Sequence, residues 1–359
     1  MTPEQAGAFL TIDLNKIADN WREIQVRIGD KRQAAAVLKT DAYGLGAEKV
    51  GQALYEAGCR VFFTAYVFEA AALREVAPEA DIYVLHGLLP HTELDFLRCN
   101  LIPVLSTPRQ VADWNHLGHK EDIVLPAALH VDTGMTRLGL TARHIEALAK
   151  NPEQCKYLDI KLVVSHLACA DNPENEKNED QLKRFEDACA KLRRILPKDF
   201  KESLSATDGC RLEDERFYRD IVRPGIALYD NAVSLEAKIL QIQEAEAGQT
   251  AGYGATHVFS GKSRVATLAI GYGDGFPRSL SNKGYVLIAG HKAPIVGRIS
   301  MDLTTVDVTD IDVEALRQSP TAEIFGSSLP LKDVASLAGT IDYEVLTNLS
   351  GRFYRIYLD

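Results

Sequence analysis

The feature that most constrains the fold of this 359-residue chain is a repeated alternation of short apolar runs with segments of helical periodicity. Apolar runs typical of buried parallel strands occur at eight places: AAAVLK (34–39), VFFTAY (61–66), DIYVLHG (81–87), LIPVLS (101–106), AALHVD (127–132), IKLVVSHL (160–167), SLSAT (203–207) and a run ending at DIVR (220–223). Eight such alternations predict an α/β fold, a (β/α)8 barrel. A doubly wound sheet is the alternative, disfavoured by the strand count and by the lack of G-x-G-x-x-G after the first strand.

The segments between these runs carry apolar residues at helical spacing, as in 47–58, 68–77, 108–117 and 178–196. From about Ser234 the pattern changes to short strand-like runs separated by Gly, Asn, Asp or Pro, with one short helix expected near 331–338. We therefore predict two domains.

The predicted domains are a barrel at 1–240 and a mainly β domain at 241–359. The boundary itself lies somewhere near 235–245, where helices become scarce.

Charge and composition exclude several classes of protein. A net charge of -10 argues against a nucleic-acid-binding surface, which requires a basic face. The six cysteines include no C-x-x-C pair, so neither a metal site nor a disulfide scaffold is indicated. No long apolar segment and no basic leader with an apolar core are evident, which predicts a cytoplasmic protein that does not bind membranes.

Lys39 is the candidate reactive residue, because it ends the first buried run and a turn rich in glycine follows it. Ligand sites of parallel α/β folds lie beyond the carboxyl ends of the strands. A lysine that loses solvation there shifts toward the neutral amine, which can form a Schiff base. The alternative is a solvated lysine at a strand end.

The segment KTDAYGLG (39–46) resembles the pyridoxal-phosphate lysine motif of alanine racemase. Five further segments resemble that family in the same order: HVDTGMTRLG (130–139), VVSHLACADN (163–172), IVRPGIALYD (221–230), GYGDGFPR (271–278) and GRISMD (297–302). The resemblance covers most of the chain. It implies a pyridoxal 5'-phosphate enzyme with a barrel followed by a β domain.

The resemblance implies a catalytic pair, Lys39 and Tyr272. Racemisation requires an acid/base group on each face of a planar carbanion, which these two residues would supply. His166 resembles the histidine that contacts this tyrosine and couples it to Arg223. A guanidinium donates a hydrogen bond to the pyridine nitrogen without giving up a proton, which is the role the family gives Arg223.

The resemblance also implies a phosphate site after the eighth strand, where barrels commonly bind phosphate. Gly225 and Ile226 would provide main-chain donors, and Tyr43 a phenolic donor. Thr207 is the candidate hydroxyl, with Ser205 as the alternative.

Substrate contacts are implied for Arg137, Met301 and Asp302, the last two from the partner subunit. A fork of donors on Arg137 suits a carboxylate and the cofactor's phenolic oxygen. We therefore expect a homodimer with active sites shared between subunits.

The sequence departs from the family pattern at three places. His130 stands where many members carry a lysine that braces the arginine corresponding to Arg137, and LSATDG (204–209) lacks the common A-N-S. Gly351 stands where many members carry a phosphate-contacting tyrosine. Tyr354 is our candidate for that contact and Tyr357 the alternative, either one only if the backbone differs.

We predict interconversion of L- and D-alanine, for peptidoglycan or for catabolism. The alternatives are a broad-specificity amino-acid racemase, a decarboxylase of the same architecture, and a non-catalytic pyridoxal-phosphate carrier.

Overall fold

A computed structural model describes residues 1–196 and 198–359 of the chain. These residues form two compact units. The barrel unit comprises Ile17–Ala42 and Gly46–Leu228, and the β unit comprises Met1–Lys16, Tyr43–Leu45 and Tyr229–Asp359. Among the described residues, no helix is both long enough and apolar enough to cross a membrane.

The barrel unit contains a parallel sheet of seven strands in sequence order: Ala36–Val37, Val61–Thr64, Asp81–Val84, Ile102–Leu105, Leu125–His130, Leu158–Val164 and Lys201–Ser203. Two further strands, Gln33–Ala34 and Ile221–Val222, pair with each other in parallel. The Ala35 N–H donates to the Val222 carbonyl, and the Arg223 N–H to the Ser205 carbonyl. These bonds join the two edges of the sheet through the eighth strand. The predicted barrel is confirmed.

Helices alternate with these strands as the periodicity predicts: Leu14–Ile28, Ala47–Glu56, Val67–Val76, Glu93–Arg98, Pro108–Glu121, Ala142–Lys150 and Lys177–Arg193. The last of these buries one face at helical spacing, through Leu182, Phe185, Cys189 and Leu192.

The interior of the barrel is filled by side chains that point inward from successive strands. Phe63 and Tyr83 stack with ring centroids 5.0 Å apart, and Ala35, Val104 and Leu162 pack in the same cluster. The barrel is therefore a packed core, and the ends of its strands provide the binding surface.

The β unit is organised around Val233–Ala245, a strand of 13 residues. The sheet contains the strand path His291–Pro294, Tyr285–Ile288, Thr321–Phe325, Val233–Ala245, Ala8–Asp13 and Tyr354–Leu358, while Ser263–Leu268 pairs with both Val233–Ala245 and Thr304–Asp307. A separate two-stranded pair is formed by Thr250–Ala251 and His257–Val258. The predicted mainly β second domain is confirmed.

Ala8–Asp13 lies within 1–240, the range predicted from the sequence to form the barrel. Its side chains alternate between buried and half-buried, and Leu10 lies between Leu235 on one neighbouring strand and Arg355 on the other. The first strand of the chain thus belongs to the β unit.

Three helices lie in the β unit: Val313–Gln318, Leu331–Ala338 and Asp342–Thr347. The predicted helix near 331–338 is confirmed. The other two are only six residues long, too short to give a clear helical period.

Candidate active site

Lys39 lies at the carboxyl end of the first barrel strand, but it is not part of that strand. The prediction that the strand extends to Lys39 is wrong, because the strand ends at Val37 and Lys39 begins the helical turn Lys39–Gly44. The φ angles of Thr40–Tyr43 lie between 53° and 60°, and that of Gly44 is 81°. The turn is therefore left-handed, a conformation that costs about 1–2 kcal/mol for each non-glycine residue.

Local hydrogen bonds close this left-handed turn. The Ala42 N–H donates to the Leu38 carbonyl over 3.0 Å, and the Gly46 N–H donates to the Asp41 carbonyl over 2.9 Å. The Asp41 carboxylate also accepts the Ala47 N–H over 2.8 Å at the start of the next helix. The turn is thus tied to the strand before it and the helix after it.

The environment of Lys39 favours the neutral amine. Burial lowers the pKa of its ammonium, and the positive charges of Arg137 and Arg223 lower it further. The Glu69 carboxylate acts in the opposite direction. The net lowering leaves a larger fraction of nucleophilic amine at neutral pH than a solvated lysine has.

Arg223 is almost completely buried, with 4% of its surface exposed. Its guanidinium donates to the Ser203 hydroxyl and to the Ser165 carbonyl, which lies 2.6 Å away. Burial lowers its pKa to about 10, so the group remains charged at neutral pH. Hydroxyl and carbonyl partners fix the plane of this cation and keep it a hydrogen-bond donor.

Two histidines beside Arg223 are held neutral. Burial, followed by the charges of Arg223 and Arg137, lowers the pKa of His130 to about 4 and that of His166 to about 3. His130 Nδ1 lies 3.2 Å from the Ser106 hydroxyl. These residues therefore act near neutral pH through hydrogen bonds, without carrying charge.

Arg137 lies on the exposed loop that follows the strand Leu125–His130. The Asp132 carboxylate shapes this loop by accepting the N–H groups of Gly134 and Thr136 over 2.9 and 3.1 Å. The positive charge of Arg137 lowers the pKa values of Lys39 and His166, so Arg137 lies within electrostatic range of both residues.

The segment proposed for phosphate contains a buried hydroxyl that faces main-chain amides. Thr207 Oγ1 accepts the N–H groups of Gly225 and Ala227 over 3.0 and 3.4 Å, and Ile226 begins a short 3-10 helix. The Ser205 hydroxyl, by contrast, donates to the Phe217 carbonyl over 2.8 Å. Since a hydroxyl has one hydrogen to donate, Thr207 retains a donor that Ser205 has already used.

In the β unit, Tyr272 begins a 3-10 turn and is 43% exposed. Its N–H donates to the Ser300 carbonyl over 3.0 Å, and the Gly273 N–H donates to the Met301 carbonyl over 2.8 Å. The turn carrying Tyr272 therefore lies directly against the loop carrying Met301 and Asp302.

Arg352 joins these two segments and was not among the predicted site residues. Its guanidinium lies 3.2 Å from Asp274 Oδ1 and 2.8 Å from Asp302 Oδ1. Asp274 is buried, which raises its pKa, and its other oxygen accepts the Gly271 N–H over 2.9 Å. The only sequence signal would have been a charged residue beside Gly351, in the C-terminal segment that we considered only for its tyrosines.

Three tyrosines assigned to the cofactor surroundings also lie in the β unit. Tyr43 is buried, its ring centroid 5.3 Å from that of Tyr229, and burial raises its pKa so that the phenol stays protonated. Tyr354 packs edge-on against Phe9, and the Tyr357 hydroxyl donates to the Leu45 carbonyl over 3.0 Å.

Comparison with known proteins agrees with this arrangement. Residues 12–232 match the family model "Alanine racemase, N-terminal domain", and residues 232–357 match "Alanine racemase, C-terminal domain". Alanine racemases of Agrobacterium fabrum and Rhizobium meliloti are 42% and 41% identical, over 99% and 98% of this chain and 95% and 97% of theirs. The solved alanine racemase of Bartonella henselae, with covalently bound pyridoxal phosphate, is 38% identical with a TM-score of 0.92, over 98% of this chain and 100% of that one.

Proposed function

This chain belongs to the alanine racemase family, and from that membership we propose that it interconverts L-alanine and D-alanine with pyridoxal 5'-phosphate as its cofactor. The observation that carries the proposal is the environment of Lys39. Burial and neighbouring arginine charges lower the pKa of its amine at the carboxyl end of a barrel strand. A neutral amine in that place suits covalent attachment to an aldehyde.

The barrel residues fit such a cofactor. Pyridoxal phosphate, when bound, withdraws electrons from the amino acid's α-carbon and so weakens its bond to hydrogen. Arg223 suits the pyridine nitrogen, because it is a buried, oriented donor that stays charged and does not release a proton. Arg137 offers a fork of donors for the cofactor's phenolic oxygen and the substrate carboxylate.

The phosphate group would lie beyond the eighth strand, beside Thr207, Gly225 and Ile226. Thr207 has a hydroxyl hydrogen to donate, and Ile226 begins a helical turn whose amides suit an anion. Tyr43 would donate from a phenol that burial keeps protonated. Tyr354 is our candidate for a further phosphate contact.

Proton transfer requires a group on each face of the substrate, and we assign these roles to Lys39 and Tyr272. Neutral His166 would contact Tyr272 and connect it to Arg223, whose charge already acts on this histidine.

We propose that two copies of the chain form each site, as a homodimer. Lys39 belongs to the barrel unit and Tyr272 to the β unit. A two-fold axis would allow the β unit of each subunit to complete the active site in the barrel of the other subunit, so that a dimer contains two equivalent sites. Met301 and Asp302, which lie beside Tyr272, would then contact the substrate in the partner's barrel.

A broader amino-acid racemase remains the second candidate. It is motivated by His130 and Gly351, which depart from the family pattern in the surroundings of the substrate and the phosphate. We place the enzyme in the cytoplasm, supplying D-alanine for peptidoglycan or degrading it.

Chiral chromatography after incubation with L-alanine tests the proposal. We expect the product to approach equal amounts of the two enantiomers, only when pyridoxal phosphate is present. Serine and basic amino acids, run in parallel, measure substrate breadth. Borohydride should fix the cofactor to the peptide that contains Lys39.

Three results would contradict the assignment. Cofactor binding without exchange of the α-hydrogen of alanine in deuterium oxide would indicate a carrier. Release of carbon dioxide from lysine, ornithine or diaminopimelate would indicate a decarboxylase. Fixation of the cofactor at another lysine would remove Lys39 from its role.

A further inference from the structure

The Glu69 carboxylate accepts hydrogen bonds from main-chain groups in two segments, one of which directly follows Lys39. Its Oε1 accepts the Thr40 N–H over 2.7 Å, and its Oε2 accepts the N–H groups of Ala65 and Tyr66 over 2.8 and 3.1 Å. Ala65 and Tyr66 follow the strand Val61–Thr64 and precede the helix Val67–Val76. One carboxylate therefore ties the turn that begins at Lys39 to the end of the neighbouring strand.

The bond to Thr40 acts on the peptide unit that joins Lys39 to Thr40. Thr40 and Asp41 are exposed, so burial of their side chains does little to hold the turn. They also have positive φ, which non-glycine residues adopt only when their surroundings impose it. Fixing the Thr40 N–H fixes the plane of this peptide and with it the direction in which the Lys39 side chain leaves the backbone.

The charge of Glu69 acts on Lys39 as well. Burial, Arg137 and Arg223 all favour the neutral amine, and Glu69 opposes them by favouring the ammonium. Removing the carboxylate therefore lowers the pKa of Lys39 further. The residue thus has two separable effects, one through its hydrogen bonds and one through its charge.

We propose that Glu69 is a positioning residue for Lys39, holding the left-handed turn by its bond to Thr40 and balancing the two arginines by its charge. The proposal rests on the proposed function only in that Lys39 is the cofactor lysine. It concerns the geometry and proton affinity of that lysine, both of which are measurable without turnover.

Two variants separate the hydrogen bond from the charge. Glu69→Gln keeps an acceptor oxygen for Thr40 and removes the charge, whereas Glu69→Ala removes both. Thr107→Ala is the matched control, because Thr107 caps the helix Pro108–Glu121 in the same unit by accepting the Gln110 N–H over 3.2 Å. It removes a helix cap far in sequence from the lysine turn.

Hydrogen exchange of the full-length holoenzyme, followed by mass spectrometry on peptides covering 38–46, measures the effect of the hydrogen bond between Glu69 and Thr40 on the turn. We expect exchange in this segment to be about tenfold faster in Glu69→Ala, the effect of one lost hydrogen bond of roughly 1.4 kcal/mol. Glu69→Gln should lie closer to wild type, and Thr107→Ala should match wild type.

The pH dependence of Lys39 acetylation, measured on the full-length chain freed of cofactor, measures the effect of the Glu69 charge on the Lys39 amine. We expect the midpoint to move to lower pH in both Glu69 variants and to stay in place in Thr107→Ala. Circular dichroism confirms that each variant is folded.

Unchanged exchange at 38–46 together with an unchanged acetylation midpoint in folded Glu69→Ala would overturn the proposal. Equal changes in Thr107→Ala would also overturn it, since they would show a general effect of losing a cap. If wild type does not racemise alanine while both measurements change as expected, the proposed function is wrong, but the proposal that Glu69 positions Lys39 is supported.

Discussion

Replacing Gly275 with alanine should destabilise the turn that carries Tyr272. Gly275 has a φ of 94°, and an added Cβ would lie 2.1 Å from the Asn348 carbonyl oxygen and 2.7 Å from its carbon. The left-handed backbone costs about 1–2 kcal/mol for a non-glycine residue. The clash is against backbone, which must move, and overpacking of this kind costs about 1–3 kcal/mol.

Gly339 is a matched control in the same unit. Its φ is 76°, and an added Cβ would meet nothing within 4 Å, so Gly339→Ala carries the conformational cost without the clash. Both substitutions also restrict the unfolded chain equally, which cancels in the comparison. The difference between the two variants should therefore be about 1–3 kcal/mol in the free energy of unfolding.

Urea denaturation of the holoenzyme, followed by tryptophan fluorescence and circular dichroism, measures this difference. Turnover provides a second measure, because the Gly275 N–H donates to the Tyr272 carbonyl and movement of one displaces the other. We expect Gly275→Ala to lower kcat and Gly339→Ala to leave it close to wild type. Equal destabilisation by the two substitutions would refute the reasoning from close packing.

Three further predictions concern residues of the proposed active site. Arg223→Lys should lower the free energy of unfolding by roughly 1–3 kcal/mol and weaken cofactor binding, because one ammonium cannot replace the planar fork of donors; denaturation and a cofactor titration measure the two effects. The folded pKa of His166, about 3, lies below its ordinary value of 6.5, so protons favour the unfolded chain and stability should fall as pH drops from 6.5 toward 3. His166→Gln should lose part of that acid sensitivity in unfolding measured against pH. Mixing Lys39→Ala with Tyr272→Phe under subunit exchange should restore roughly a quarter of wild-type activity if sites are shared, and none if each chain completes its own.

The sequence was sufficient to predict the barrel, because buried parallel strands are apolar throughout and their helices have a period that differs from that of strands. The first strand was missed although Ala8, Leu10 and Ile12 alternate with more exposed residues. Its partners are Val233–Ala245 and Tyr354–Leu358, and the local sequence of a strand does not indicate which distant strands it pairs with.

The site was predicted less completely than the fold. Nothing in Thr40 or Ala42 indicates a left-handed turn, since non-glycine residues rarely adopt one, and contacts from distant residues decide the conformation. The Asp274–Arg352–Asp302 cluster was missed for the same reason, because its members come from three separate segments. Motif resemblance indicates candidate reactive residues, whereas the residues that position them become visible only in three dimensions.

The position of Ala8–Asp13 between strands 233–245 and 354–358 has a consequence for synthesis on the ribosome. This segment is translated before the barrel, yet both its hydrogen-bonding edges remain unsatisfied until residues translated hundreds of codons later arrive. The barrel, whose strands pair in the order of translation, can form before the partners of Ala8–Asp13 have been translated. Throughout that interval an apolar strand with two open edges is exposed to neighbouring nascent chains, so chaperone capture of this segment would protect the protein during its production.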